Sequence, residues 1–187
     1  MKERLLVHCC CGPCAAYPFS VLVENFKVEA FFSNSNLNTA SEYFKRLEAL
    51  RLLCARQGIT CYADDYEPEG WHKAIKGLEN EPEKGKRCTT CYEYRLKRTF
   101  EFAKQNNIEY VTTTLTVAPY KDSKTIFEIA GRLSKEYGVR FLELDFKKNN
   151  GYVKTKKLAV DNDLYVQNYC GCEFSLLDRE QRVTGEL

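Results

Sequence analysis

Strand-like and helix-like stretches alternate along nearly the whole of this chain, and the alternation leaves few architectures open. Residues 4–9 form a short apolar run, and Pro13 with Cys14 begins a helical stretch through Asn25. Residues 27–33, with Val28, Ala30, Phe31 and Phe32, read as a second strand with the composition of a buried one. Ser41 then caps an amphipathic helix in which Tyr43, Phe44, Leu47, Leu50 and Leu53 recur at helical spacing until Gly58 stops it. Residues 59–63 form a third strand, 71–75 a short helix, and the polar, Gly- and Pro-punctuated stretch 78–87 a mobile loop. A long helix over 88–105 and a Thr-rich strand over 110–115 follow, then a helix capped by Asp122 or Ser123 that runs to Tyr137. A fifth strand over 139–144 and a Lys-rich helix over 152–160 complete the series.

This order predicts an α/β fold: an open, mostly parallel five-stranded sheet with helices on both faces. The 187 residues suffice for a single domain, 1–187, ending in a cysteine-bearing tail from about 163. In such sheets ligands gather beyond the carboxyl ends of the strands.

Three knots of cysteine punctuate this frame. Eight of the ten cysteines fall into Cys9-Cys10-Cys11-Gly12-Pro13-Cys14, Cys88-Thr89-Thr90-Cys91 and Cys170-Gly171-Cys172, leaving only Cys54 and Cys61 apart. The first knot directly follows the first strand. The chain opens on Met1-Lys2-Glu3-Arg4, and the apolar stretch behind it is only a strand long. No secretory leader and no membrane span are therefore expected, and a cytoplasmic location is. Thiols stay reduced there, so metal binding or catalytic redox chemistry replaces a disulfide framework as the expectation.

Cys88 and Cys91 sit at a helix start, where two thiolates can face one ion and the helix dipole lowers thiol pKa. Zinc ribbons, thioredoxin-like sites and iron–sulfur proteins all use that spacing. The first knot discriminates better. Adjacent side chains diverge and rarely both bind one tetrahedral zinc, whereas a four-iron cube offers several corners, so the pattern favours a cluster and leaves zinc as the alternative. A disulfide across Gly171 alone would be strained and easily reduced, which suits Cys170 and Cys172 as a cycling dithiol; two further metal ligands is the competing account. Cys54 and Cys61 follow core periodicity and read as buried small hydrophobes. His8, at a strand end, is a hydrogen-bonded residue first and a ligand or proton donor second.

Net charge is only +2, yet the basic residues are clustered. Lys84, Lys86, Arg87, Arg95, Lys97, Arg98 and Lys104 surround the second knot, and Lys147, Lys148, Lys154, Lys156 and Lys157 precede the third. With Tyr92, Tyr94, Tyr120 and Tyr152 read as exposed aromatics, they could hold a phosphate backbone and stack an unpaired base. Solvated helix faces are the plainer account.

Five motifs in matching order carry a resemblance. They are His8-x-Cys10-Cys11-x-Pro13-Cys14, Arg87-Cys88-x-x-Cys91-Tyr92, Thr112-Thr113-Thr114-Leu115-Thr116 with Pro119-Tyr120-Lys121, Asp145-Phe146-Lys147-Lys148 with Asn150-Gly151-Tyr152, and Tyr169-Cys170-Gly171-Cys172. Together they look like those of the cobalamin-independent epoxyqueuosine reductases, over nearly the whole chain. The resemblance implies an oxidoreductase of queuosine biosynthesis that removes the epoxide oxygen from epoxyqueuosine at the wobble position of tRNA. It also implies a fold of the adenine-nucleotide alpha-hydrolase-like (HUP-like) group. Carried over by position, a [4Fe-4S] cluster would be held by Cys10, Cys11, Cys88 and Cys91, with Cys170 and Cys172 as a redox-active pair. Cys14 would hold one additional iron, with an acid such as Asp65 beside it, and Cys9 falls outside the pattern.

Asp65, Tyr92 and Tyr120 are candidate proton donors by position. Arg87, Arg95, Lys121, Lys147, Lys148 and Lys154 are candidate nucleic-acid contacts. The implied partners are tRNA carrying epoxyqueuosine and an electron donor that the sequence does not identify, with no membrane. Two other readings compete. One is an ATP-dependent or thiol-transferring tRNA-modifying enzyme of similar topology, which needs a Gly/Ser-rich phosphate loop where this chain has a single glycine and a proline. The other is a non-catalytic, zinc-stabilised RNA-binding module.

Overall fold

The computed structural model describes residues 2–184. Strands β1 (Arg4–His8), β2 (Lys27–Phe32), β3 (Thr60–Ala63), β4 (Tyr110–Thr113) and β5 (Arg140–Phe141) form one sheet in the order β3-β2-β1-β4-β5. Every pairing is parallel, so the sheet is wholly rather than mostly so. The strand order reverses at β1, and the loops after β1 and β4 therefore open side by side into the crevice where such sheets bind ligands.

Helices α1 (Gly12–Leu22), α2 (Ala40–Gln57) and α6 (Gly151–Asp161) cover one face; α4 (Lys86–Gln105) and α5 (Ser123–Tyr137) cover the other. The short α3 (Pro68–Ala74) leans on α4, and α7 (Glu173–Thr184) ends the described chain. Among the described residues no helix is long and apolar enough to cross a membrane.

Period-two alternation along β1 sorts the first cysteines. Leu5, Val7 and Cys9 join the core beneath α1 and α2, whereas Leu6 and Cys10 join the core beneath α4 and α5. Cys9 is thereby separated from its neighbour, and burial pushes its thiol pKa well up. Cys54 lies in the same apolar cluster, protonated through its hydrogen bond to Cys61 and its burial. Cys61 is only partly buried there.

Several boundaries differ from those expected, each for a local polar reason. Thr39 rather than Ser41 caps α2, its hydroxyl accepting from Glu42 N at 3.1 Å. The fifth strand is two residues long. Beyond Phe141 the chain is held by threonine hydroxyls, Thr112 Oγ1 donating to Leu142 O at 2.9 Å and Thr116 Oγ1 to Leu144 O at 2.8 Å. β4 itself stops at Thr113 and turns into a 3-10 helix, Thr114–Val117. The stretch expected as a mobile loop is tied down by Arg87, whose Nη1 donates to Glu79 O at 2.7 Å and to Glu81 O. The tail carries a helix, α7, beyond the last of the expected elements.

Gly12 sets the spacing of α1 and α2. A Cβ there would stand 2.6 Å from both the carbonyl carbon and oxygen of Ala49, backbone atoms that cannot swing aside. Gly12→Ala should destabilise the fold by about 3 kcal/mol, seen as a lower thermal midpoint. An unchanged midpoint would mean that the two helices have slack between them.

Candidate active site

The first knot is built by the end of β1 and the start of α1. Cys11 caps α1, its sulfur accepting from Cys14 N at 3.5 Å, and Pro13 lies in the first turn, where no N–H is needed. Cys10 N donates to Thr114 Oγ1 at 3.2 Å, which moors it to the loop after β4. The sulfurs of Cys10, Cys11 and Cys14 all lie within 4.8 Å of one another, Cys10 and Cys11 at 3.9 Å. Protons are shared unequally among them. Hydrogen bonds from Cys11 and Cys14 pull Cys10 well below the ordinary thiol range, helped by the charges of Lys121 and Arg95. Burial pushes Cys11 up to about 12, and hydrogen bonding to Cys10 and Cys11 raises Cys14. The trio is a soft donor set.

Cys88 and Cys91 lie on the first turns of α4, Cys88 Sγ accepting from Lys84 N at 3.3 Å. Burial raises both, Cys91 to about 12, and it raises Cys172 as well. These three line one pocket with Cys170, Asn36, Trp71, Arg87, Tyr92 and Arg95. The tail reaches it from α2. Arg46 Nη1 donates to Cys170 O at 2.8 Å, Asn38 N to Gly171 O at 2.9 Å, and Tyr169 Oη to Asn38 Oδ1 at 2.8 Å. Gln167 Nε2 extends the tail to the first knot, 2.9 Å from Cys11 Sγ. Lys121 links the groups electrostatically. Burial disfavours its ammonium, but the sulfurs of Cys170 and Cys10 more than reverse this and raise its pKa. All ten cysteines are free thiols.

The structure therefore brings the three knots together, although it partitions them differently from the expected ligand set. Cys14 stands with Cys10 and Cys11, while Cys88 and Cys91 face Cys170 and Cys172. Tyr92 is not the exposed aromatic expected: it is 7% exposed, packed under the site. Arg87 and Arg95 are likewise not surface cations, at 4% and 2% exposed. Arg95 donates to Ser33 O at 3.3 Å and to Asn34 Oδ1, so neither arginine is available to a phosphate backbone. Lys147 Nζ is engaged by Lys121 O at 2.6 Å and Ser123 Oγ at 2.7 Å, whereas Lys148 and Lys154 are exposed. Tyr120 is 70% exposed, with Lys84 Nζ 5.4 Å from its ring centroid.

Asp65 is exposed beyond β3 and outside the thiol trio; its neighbour Asp64 is clamped by Arg98 and Ser33. His8 is fully buried, bonded to Thr113 Oγ1 at 2.8 Å and Ser33 O at 3.3 Å. Burial and the nearby Arg95 push it down to about 3, so its imidazole stays neutral. The loop after β1 is also a poor phosphate cradle. Cys10 N and Cys14 N are engaged internally, and Pro13 has no N–H. Arg46, Trp71 and Gln167, which sit at the centre of this geometry, lie in no motif that marks them.

The family model described as epoxyqueuosine reductase QueH matches residues 5–178. Relatives of that name include one from Streptococcus pyogenes serotype M1, 34% identical over 94% of this chain and 71% of its own length. Another, from Thermotoga maritima, is 34% identical over 95% and 93%. The relative from Dehalococcoides mccartyi is 33% identical over 96% of both chains. The chain belongs to the epoxyqueuosine reductase QueH family. Among solved structures, this QueH chain is similar to the U34-tRNA thiolase NcsA from Methanococcus maripaludis, solved with its [4Fe-4S] cluster. The TM-score is 0.57 and the identity 11%, over 98% of this chain and 67% of that one. At that identity the likeness concerns the fold, which agrees with the nucleotide-hydrolase-like architecture expected.

Proposed function

We infer that this chain is an epoxyqueuosine reductase, acting on tRNA in the final step of queuosine formation. The family match over residues 5–178 carries that reading, and the convergence of three thiol knots in the crevice beyond β1 and β4 gives it a site. The reaction removes the epoxide oxygen with two electrons and two protons, leaving the cyclopentene and water.

A [4Fe-4S] cluster fits the donors present, which are soft sulfurs without a carboxylate or imidazole among them, backed by the buried N–H groups of Trp71 and Arg87 that have no hydrogen-bond partner. Cys10, Cys11, Cys88 and Cys91 would hold it, with Cys14 free to take one further iron. Bound there, the cluster would supply electrons singly and the iron a Lewis acid toward the epoxide oxygen. The dithiol of Cys170 and Cys172 would replenish the electron pair from an external donor. Lys121 would balance the charge of the thiolates, and Tyr92, kept protonated by its burial, would hold a proton beside Cys88, Cys91 and Cys170. Exposed Tyr120, Lys148 and Lys154 suit stacking and phosphate contacts to the tRNA arm.

Anaerobically prepared protein should contain iron and sulfide and absorb broadly in the visible. With a strong reductant it should convert epoxyqueuosine in tRNA to queuosine, read by mass spectrometry of the released nucleosides. Zinc without sulfide would sink the cluster assignment, and a cluster-loaded protein inert toward that tRNA would sink the substrate assignment.

A further inference from the structure

Three buried polar atoms around the pocket of Cys88, Cys91, Cys170 and Cys172 lack a hydrogen-bond partner: Trp71 Nε1, Arg87 Nε and Asn36 Oδ1. Buried donors without acceptors are rare, because desolvation is not repaid. Trp71 is the sole tryptophan of the chain and is 1% exposed. From α3, with Ile75, it packs on Cys91, while Cys172 and Phe174 close the same cluster. Its indole thus bridges the second knot and the third.

The acceptors that share the pocket with this indole are the sulfurs of Cys88, Cys91, Cys170 and Cys172, and Cys91 is the one buried in the same cluster as the ring. A protonated thiol is a weak acceptor, and a metal-bound thiolate is a much better one. Indole donates and cannot accept, so the group it serves must be electron-rich. Arg87 makes the same point from the residue before Cys88. Its Nη1 is engaged by Glu79 O and Glu81 O, while Nε is left without a partner at the pocket wall.

We propose that Trp71 is a positioning residue whose indole N–H donates to sulfur at the Cys91 corner of the site, raising the reduction potential of the cluster held there. The inference rests on reading the site as a thiolate-held cluster. A donor to a cluster sulfur withdraws negative charge, and because reduction adds charge, it favours the reduced form.

The test uses the reconstituted holoprotein. Trp71→Phe keeps an apolar ring and removes the donor. It should retain iron and sulfide, yet titrate at a lower midpoint potential than the native protein. Resonance Raman bands of the iron–thiolate stretches should move on transfer to deuterium oxide by more in the native protein than in the variant, where the backbone and Gln167 N–H groups on Cys11 and Cys88 still exchange. Should Trp71→Phe fail to fold, benzothienylalanine incorporated at this sole tryptophan preserves the shape and lacks the N–H, and the same two shifts are expected. A loaded variant with native potential and no difference in deuterium sensitivity would overturn the proposal, leaving Trp71 as packing. Native protein without iron or sulfide would overturn instead the cluster reading beneath it.

Discussion

Replacing Cys88 with serine should bleach the reconstituted protein, whereas replacing Cys172 should leave its colour and abolish turnover. The two thiols share a pocket and are both raised by burial, so environment alone does not tell them apart. Their supports do. Cys88 rides the first turn of the twenty-residue helix α4, whose inner face is built into the core through Tyr92, Leu96 and Phe100. A ligand needs that fixity, since a metal site tolerates little displacement of its donors. Cys172 lies next to Gly171, which has a φ of +131°, just ahead of α7. Closing and reopening a disulfide with Cys170 asks the backbone to move, and the tail is better able to do so than a core helix. Iron, sulfide and the visible spectrum report ligation; single-turnover conversion of epoxyqueuosine in tRNA reports the dithiol. If Cys172→Ser loses both colour and turnover, Cys172 is a ligand and the redox pair must be sought elsewhere.

Much of this arrangement is legible in the amino-acid sequence. Strand–helix alternation specifies the sheet, and the position of the first knot directly behind β1 places it in the crevice. Two kinds of feature escape such a reading. Tyr92 and Arg95 look exposed when charge and aromaticity are counted along the chain, yet Cys88, Cys91, Tyr92 and Arg95 recur at helical spacing and share the inner face of α4. That periodicity is a usable signal, masked by the density of basic residues around it. The other kind has no local signal. Arg46 meets Cys170 across 124 residues and Gln167 meets Cys11 across 156, and each is an ordinary polar residue until the fold closes. The shortened β5 belongs with these, since a threonine hydroxyl taking over a strand's carbonyl is invisible to periodicity.

Arg46→Ala should release the tail. This arginine is 2% exposed, and each of its groups is committed: Nε to Glu42 Oε1 at 2.7 Å, Nη1 to Cys170 O at 2.8 Å, and Nη2 to Tyr169 O at 3.4 Å. Its Cζ also lies 5.1 Å from the Tyr169 ring centroid. Two effects follow from truncation and can be separated. Glu42, itself buried, loses its cation and keeps only the Tyr165 hydroxyl at 3.0 Å; a broken buried pair destabilises by about 3 kcal/mol. Independently, the carbonyls of Tyr169 and Cys170 lose their donor, so the dithiol is no longer presented to Cys88 and Cys91. The double variant Glu42→Leu with Arg46→Met removes both charges and should recover most of the thermal stability. It cannot restore the donors, so Cys170 and Cys172 should still alkylate faster than in the native protein and turnover should stay low. A double variant with native alkylation rates would mean that Asn38 and Ser175, which bond Gly171 O and Gly171 N, hold the dithiol loop without Arg46. The arginine's burial would then serve only to neutralise Glu42, which makes alkylation of the double variant, rather than melting of the single one, the deciding measurement.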